Sequence, residues 1–297
     1  MRNDFCAFIL TNRRPSNVVT YKTLRKQGYT GKIYIVIDDE DPTGWQYKER
    51  FGDDVLVFSK SEIALKFDEG DNFNDRRSIF YARNACFDLA RSVGVKYFIQ
   101  LDDDYSAFLY RIDEDGFFGH WYAPLNWLFS ALCDYLEKTP FASVAISQGG
   151  DHIGGGSAAL GKGNGTKRKA MNTFVCSVDK PFRFVGRVNE DVNTYTAEQR
   201  RGIPFLSIMA AQVNQKATQS NSGGMTELYL DGGTYIKTFY SVIYCPSAVK
   251  VSVLRDPGKK GGTKTDGHAR IHHKVNWDAC APLILRDTHR KPICGIS

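Results

Sequence analysis

The chain has 297 residues, with 39 Lys plus Arg against 33 Asp plus Glu and a formal net charge of +6. A hydrophobic fraction of 42% and a charged fraction of 24% exclude a disordered chain, and the glycines and prolines follow no collagen-like period. The net figure conceals an asymmetry: residues 1–150 carry 18 basic and 22 acidic side chains (net −4), and residues 151–297 carry 21 and 11 (net +10). The basic half is therefore a candidate surface for a polyanion, against the plainer reading of a solvated face. Length predicts one large domain or two closely fused halves. Seven cysteines, odd in number and without a C-x-x-C pair, argue against a disulfide framework and a cysteine zinc site. The apolar stretch 5–10 is too short for a secretory core and runs into Arg13 and Arg14, and no apolar run reaches membrane-span length. The expectation is a reduced, cytoplasmic chain with no membrane partner.

In chain order, the first third alternates strands and helices. Residues 5–10 read as a strand, and 18–27 as a helix ended by Gly28. A second strand at 32–37, rich in β-branched residues, runs into Asp38, Asp39, Glu40 and Asp41, and a third spans 55–58. Residues 77–94 place Ile79, Ala82, Cys86, Ala90 and Val93 close to helical spacing. A fourth strand at 96–101 stops at Asp102, Asp103 and Asp104. This alternation predicts an α/β fold with a mainly parallel sheet covered on both faces. Ligands in such folds sit at the carboxyl ends of strands, and two of these strands end in acidic clusters. Further on, a helix at 125–137 and a strand at 142–147 precede residues 149–165, which hold eight glycines and run into Lys167, Arg168 and Lys169. That stretch reads as a flexible flap. A strand at 172–177 follows, and Asn189-Glu190-Asp191 opens a helix. Residues 212–224 read as a mobile loop, 225–239 as a helix interrupted by glycines, and 255–274 as a disordered or ligand-ordered basic tail.

The Asp triplet carries the strongest chemical signal. A strand that presents alternate residues to one side can aim Asp102 and Asp104 together, as a hard divalent cation sharing diphosphate oxygens requires. Three adjacent carboxylates also repel one another and call for a counter-ion. The competing reading is an acidic strand end in water. Glu190 and Asp191 suit a helix start for capping reasons alone; with the triplet, they also supply a separate carboxylate able to act as general base. Residues 156–162 spell G-x-x-x-x-G-K, but Gly163 stands where a magnesium-binding hydroxyl is needed, which argues against a phosphate-binding loop and leaves Lys162 in a cationic flap. His268 and His272 at i and i+4 could bind zinc; a tail histidine could instead complete a manganese or magnesium site, and imidazole tilts that choice toward manganese. Solvent-exposed histidines are the third reading. Thr11, Asn12, Arg13 and Arg14 follow the first strand, where a base or phosphate could be held. Arg76, Arg77 and Arg83 flank the helix leading to the triplet, with Arg76 and Arg83 expected on one face and suited to phosphate or sugar hydroxyls.

A polar first loop, an acid after an early strand, a D-x-D motif, a glycine-rich loop, an E-D motif and a C-terminal histidine occur here in that order, which resembles a nucleotide-sugar glycosyltransferase of the GT-A fold. The strings Tyr81-Ala82-Arg83-Asn84-Ala85, Asn189-Glu190-Asp191-Val192-Asn193-Thr194-Tyr195, Gly223-Gly224-Met225-Thr226, Pro246-Ser247-Ala248-Val249-Lys250 and His272-His273, with residues 235–240, are similar to the TET/JBP-associated glycosyltransferases. That family includes the base J glucosyltransferase and bacteriophage enzymes that glycosylate hydroxymethylated pyrimidines in DNA. The resemblance implies a single GT-A domain over 1–297, with a nucleotide-sugar half to about 105 and an acceptor half beyond it that holds the flap 149–169 and the tail 255–274. It implies an inverting transfer from a UDP-sugar with Mn2+ or Mg2+ held by Asp104, Asp102 and either His272 or His273. Asp191, beside Glu190, would be the base. Thr11, Asn12, Arg13, Asp38 or Asp39, Arg77, Arg83 and Asp103 would hold the nucleotide-sugar. The implied acceptor is double-stranded DNA bearing 5-hydroxymethylpyrimidines, gripped by Lys162, Lys167, Arg168, Lys169, Lys259, Lys260, Lys264, Arg270 and Lys274. The modified base would be extruded, with Trp121, Tyr122 or Tyr195 available to stack on it, against the commoner use of such residues in a core. Two other readings stay open: the same fold acting on a polysaccharide, protein or small molecule, and a non-catalytic nucleic-acid-binding protein.

Overall fold

The structure, a computed structural model, describes residues 2–70, 76–112, 118–152, 167–215, 235–255 and 269–280. The first third folds as β1 (Phe5–Leu10), α1 (Val19–Lys26), β2 (Lys32–Asp38), α2 (Gly44–Phe51), β3 (Val55–Phe58), α3 (Lys60–Lys66), α4 (Phe80–Ser92) and β4 (Tyr97–Asp102). There follow β5 (Tyr105–Ile112), β6 (Phe118–Tyr122), α5 (Leu125–Lys138), β7 (Ser143–Gln148), β8 (Phe174–Ser177), α6 (Glu190–Arg200) and β9 (Phe205–Gln215). The last elements are α7 (Ile236–Tyr244), β10 (Val249–Arg255), β11 (Ala269–Val275) and the single turn α8 (Trp277–Cys280). Nine strands form one sheet in the order β3-β2-β1-β4-β8-β7-β9-β5-β6, and β10 and β11 form a separate antiparallel pair.

The expected α/β sheet is present. β3, β2, β1 and β4 are mutually parallel, as is the pair β7–β9, while β8, β5 and β6 pair antiparallel with their neighbours. Because side chains alternate across a strand, β1 feeds two cores. Phe5, Ala7 and Ile9 join one with Leu24 of α1, Tyr47 of α2 and the Leu125, Leu128, Phe129 and Leu132 face of α5. Cys6, Phe8 and Leu10 join the other with Ile63 of α3, Phe80, Cys86 and Phe87 of α4 and Val192 and Tyr195 of α6. Burial on both faces is why β1 reads as an unbroken apolar run.

Side-chain amides fix the connections that backbone pairing leaves open. Gln27, just past α1, donates from Nε2 to the Phe108 carbonyl (2.8 Å) and accepts from the Phe108 amide (2.8 Å). Asn84 on α4 does the same for Phe184, at 3.1 and 2.9 Å. Asn193 then donates to the carbonyls of Val185 (3.1 Å) and Val188 (2.9 Å). The loop before α6 is thus held from both sides, and with it the position of Glu190.

Several expectations are corrected. Gln212 to Gln215 complete β9, which pairs with β5, so the start of the expected mobile loop is strand. The expected helix 225–239 is described only from Ile236 as α7, which continues to Tyr244; residues 225–234, and the whole Gly223–Thr226 string, lie outside the described residues. The expected tail is not unstructured where it is described: residues 269–274 pair with β10. Alternation of cations and apolar residues at 269–275 is a strand pattern that composition alone obscured. Arg76 lies before α4 rather than on it, so it shares no helical face with Arg83. The 153–166 stretch of the flap is outside the described residues. Cys6, Cys86, Cys133, Cys176, Cys245 and Cys280 are all buried and free. Among the described residues no helix is long and apolar enough to cross a membrane.

Phe98 of β4 has no solvent exposure and packs its ring 5.4 Å from Phe8 and 5.1 Å from Phe87. Phe98→Ala is expected to lower unfolding free energy by about 3–5 kcal/mol, read from urea unfolding followed by far-UV circular dichroism.

Candidate active site

At the carboxyl ends of β1, β2 and β4 a cavity of about 370 Å³ opens, lined by Thr11, Asn12, Arg13, Arg14, Asp38, Arg77 and the Asp102–Asp104 triplet among others. The first loop is built tightly. Arg13 adopts a left-handed backbone (φ 56°), and its amide donates to Asp41 Oδ2 at 2.7 Å. Thr11 donates to Asp103 Oδ2 (2.6 Å) and lies 2.9 Å from the Tyr47 hydroxyl, which accepts the Arg14 amide (2.8 Å). Arg14 reaches Asp103 Oδ1 at 3.3 Å. Asp103 is therefore only 5% exposed, and its burial raises its carboxyl above the ordinary range. The two candidate nucleotide acids separate cleanly. Asp38 is buried at the cavity wall, accepting from Asn12 Nδ2 (3.0 Å) and pairing with Lys60 Nζ (3.1 Å). Asp39 is exposed and accepts the Lys60 amide at 2.9 Å at the start of α3. Asp39 does not line the cavity.

Arg83 joins this end of the sheet to α6. Its guanidinium, 1% exposed, lies 3.1 Å from Asp102 Oδ1 and 3.0 Å from Glu190 Oε1. Gln100 supports it from the same face of β4, donating from Nε2 to the Arg83 carbonyl at 2.9 Å. Burial alone would lower the Arg83 pKa; the charges of Asp102 and Glu190 hold it above the ordinary value. Asp102 keeps 23% of its side chain accessible, yet its surroundings push its carboxyl up to about 7. Burial is the main cause, Arg83 opposes it, and Asp104, Glu190 and Asp103 add repulsion. Such a carboxylate lacks positive charge, which a divalent cation supplies.

α6 starts abruptly. Asn189 is left-handed (φ 61°) and makes no side-chain cap; its Nδ2 instead donates to Ser241 Oγ on α7 at 2.6 Å. Glu190 and Asp191 are thus at the helix start without a capping asparagine beside them. Both are buried (9% and 6% exposed). Burial raises the Glu190 carboxyl, with Asp191 adding to the shift and Arg83 opposing it. Burial also raises Asp191, against the Val192 amide (2.7 Å) and the charges of Arg83, Lys169 and Lys237.

His273 of β11 is 6% exposed and neither ring nitrogen has a hydrogen-bond partner. Burial first, then the charges of Lys169, His272 and Lys237, lower its pKa to about 3, so it is a neutral imidazole. α7, which carries Lys237, packs against both β11 and α6, so the strand that bears the histidine lies on the α6 side of the site. His272 stacks against it at 4.3 Å. Among the described residues no three His, Cys, Asp or Glu side chains converge as a metal cluster. The triplet's carboxylates nonetheless suit a hard cation that takes most of its ligands from a diphosphate, as magnesium sites do.

Of the expected DNA-contacting residues, Lys167 pairs with Asp278 at 2.5 Å, and Arg168 donates to the Asp151 carbonyl at 3.4 Å. Lys169 belongs to the Asp191 environment. Lys274 is exposed and Arg270 lies on β11, while Lys162, Lys259, Lys260 and Lys264, with His268, lie outside the described residues. Trp121 and Tyr122 are exposed (42% and 72%); Tyr195 is buried and stacks on Trp277 at 5.7 Å. Sequence reasoning missed Lys60, Tyr47 and Gln100. Only Gln100 left a signal: an amide inside the apolar run of β4.

A family model described as TET-Associated Glycosyltransferase matches residues 5–224. No curated protein matches the chain. Among solved structures, it is similar to glucosyl-3-phosphoglycerate synthase from Mycobacterium tuberculosis in complex with Mn2+, UDP and phosphoglyceric acid, at 10% identity and TM-score 0.44, over 95% of this chain and 88% of that one. It is also similar to a mannosyltransferase from Pyrobaculum calidifontis in complex with GDP-Man and Mn2+, at 10% identity and TM-score 0.45, over 82% and 74%.

Arg83→Met keeps the bulk and removes the charge between two carboxylates. It is expected to cost about 3–5 kcal/mol, because Asp102 and Glu190 are left facing each other without a cation. Thermal and urea unfolding of the variant test this, and unchanged stability would show that the pair is solvated rather than buried.

Proposed function

Because the chain belongs to the TET-associated glycosyltransferase family, we propose that it transfers a sugar from a UDP-sugar to the hydroxyl of a 5-hydroxymethylpyrimidine in double-stranded DNA, on a GT-A-type scaffold and with inversion. The observation that carries this reading is the buried Arg83 between Asp102 and Glu190, which sets an acidic strand end and a second pair of buried carboxylates in one site. Two separated carboxylate groups of this kind are what a transfer needs: one beside the departing diphosphate, one beside the attacking hydroxyl.

The nucleotide-sugar occupies the cavity below Thr11, Asn12, Arg13 and Asp38, with Arg77 on its wall and Arg83 and Asp103 fixing the surrounding side chains. Asp102 and Asp104 would hold Mn2+ or Mg2+ with oxygens of the diphosphate, and the family resemblance would add His273 or His272, which lie against each other, as the imidazole for that ion. When bound, the metal neutralises the charge that builds on the leaving UDP. Asp191 takes the proton of the acceptor hydroxyl while that oxygen bonds to the anomeric carbon and the bond from that carbon to the diphosphate oxygen breaks. Its raised pKa makes it a stronger base than an exposed aspartate. Glu190, tied to Arg83, positions the start of α6. The basic second half of the chain and a reduced cytoplasm, consistent with six buried free cysteines, fit a DNA acceptor.

The direct assay incubates the chain with UDP-sugars, Mn2+ and hydroxymethylated duplex, followed by nucleoside digestion and mass spectrometry. A hexose-sized increment on hydroxymethylcytosine or hydroxymethyluracil is expected; transfer only to a carbohydrate, peptide or small molecule would overturn the DNA acceptor. Asp191→Asn should keep UDP binding and lose transfer by at least roughly 100-fold, the lower end of general-base contributions.

The base works as a carboxylate, so transfer should fall as pH drops through the raised pKa of Asp191. The acid limb of kcat/KM is therefore expected above the ordinary aspartate value of about 3.9. A profile flat down to pH 4 would remove Asp191 from that role.

A further inference from the structure

The β10–β11 pair stands apart from the main sheet, and of its side chains the DNA reading above uses only Arg270 and Lys274. Direct cross-strand partners share a face, so the register of the two strands sorts their side chains. Val249 with Val275, Val251 with His273 and Val253 with Ile271 lie on one face; Lys250 with Lys274 and Ser252 with His272 lie on the other. The first face changes character along its length. Val249 is fully buried with Ala248, Cys245 and Cys280, and Val275 packs against them. His273 is still buried, whereas Val251 is 48% exposed, Val253 59% and Ile271 43%. The pair is an arm, rooted in a small core and presenting apolar side chains farther out.

The other face is cationic without compensation. It carries Lys250 and Lys274, and neither strand contains an acid; Arg255 falls in register with the first face. Lys250 and Lys274 are exposed, directly opposite each other, and form no ion pair among the described residues. Like charges placed so destabilise a ladder, which a bound anion would reverse. A membrane surface would meet the same charge, but α7, which carries Lys237, packs against both strands of the arm and against α6, the helix that opens with Glu190 and Asp191. The occupant must therefore be a polyanion that also delivers a group to the base.

Resting on the DNA reading, we propose that the β10–β11 arm docks the acceptor duplex: Lys250 and Lys274 contact its phosphates, and Val251, Val253 and Ile271 enter the groove and take the place of the stacking that the extruded base gives up. A two-stranded ribbon fits a DNA groove, and apolar side chains wedged at base steps are a known means of unstacking. The cost of extrusion is met where the base is needed, because the root of the same arm packs through Val275 against the core that holds Val192 and Tyr195 of α6.

The test uses the full chain and a fluorescein-labelled hydroxymethylated duplex, with 2-aminopurine beside the target base. Lys250→Glu/Lys274→Glu should weaken duplex binding at least roughly tenfold and reduce the salt slope of log K by about 2, since each phosphate contact contributes roughly 0.9; Lys250→Arg/Lys274→Arg should restore both. Val253→Ser/Ile271→Ser should abolish the 2-aminopurine increase and slow transfer to duplex while sparing transfer to the same single strand. Circular dichroism melts confirm that each variant is folded. If wild type glycosylates DNA and both sets of variants match it, the arm proposal falls and the DNA reading stands. If wild type binds UDP but neither binds nor modifies duplex, the DNA reading falls and takes the arm with it. Binding to phosphatidylglycerol vesicles in place of duplex would likewise overturn the proposal.

Discussion

One buried guanidinium sets the terms for the rest of the molecule. Arg83 sits at the centre of a nearly water-free face of the sheet, and a charge there persists only if opposite charge meets it. Asp102 arrives from the end of β4 and Glu190 from the start of α6, 88 residues apart in sequence, and the Arg83 backbone is itself bonded to Gln100. None of these groups can move alone without stranding another. The strand end that carries Asp102 and the helix start that carries Glu190 are consequently tied into one unit, although they come from different halves of the chain.

The same arrangement explains why the string around Arg83 is so dense with distinct tasks. Tyr81 bonds Glu69, Arg83 joins the two carboxylates, and Asn84 holds both backbone groups of Phe184. Successive residues of a helix point about 100° apart, so one turn of α4 serves three neighbouring segments at once. The acids themselves then carry more negative charge than Arg83 can balance. Asp102, its carboxyl raised by burial and by the neighbouring charges of Asp104, Glu190 and Asp103, is left in need of a further cation at the edge that faces the cavity, whereas Asp103 is already satisfied by Thr11 and Arg14.

What the sequence reveals follows from how local each feature is. The parallel strands β1, β2 and β4 are buried on both faces, so their apolar runs are visible at once, as are the aspartates that end β2 and β4. The start of α6 at Glu190 is legible for the same reason. Choosing between Asp38 and Asp39 is not, because the deciding partner, Lys60, contacts both: its ammonium pairs with one and its amide bonds the other. The strands β5, β6 and β9 carry polar side chains such as Arg111, His120 and Gln212 among apolar ones, so alternation is blurred and composition suggests loops. β11 is hidden by its lysines and histidines until β10 is beside it.

The order of the sheet has a consequence for how the chain reaches this state. After β4 the polypeptide builds the far edge first, as β5 and β6, and only later supplies β7, β8 and β9, which fill the gap between β4 and β5. Until they arrive, β4 has one open edge, and the hairpin is attached chiefly through α1, where Gln27 occupies both backbone groups of Phe108 and Thr23 donates to the Tyr105 carbonyl. Closure must then join segments more than 70 residues apart, an entropic demand that slows folding and prolongs exposure of a strand edge. The Asp triplet lies at that unfinished border. The site is therefore completed at the last stage of assembly, and a nascent chain carries its acidic cluster without the arginine-bound partner on α6 until most of the protein has been synthesised.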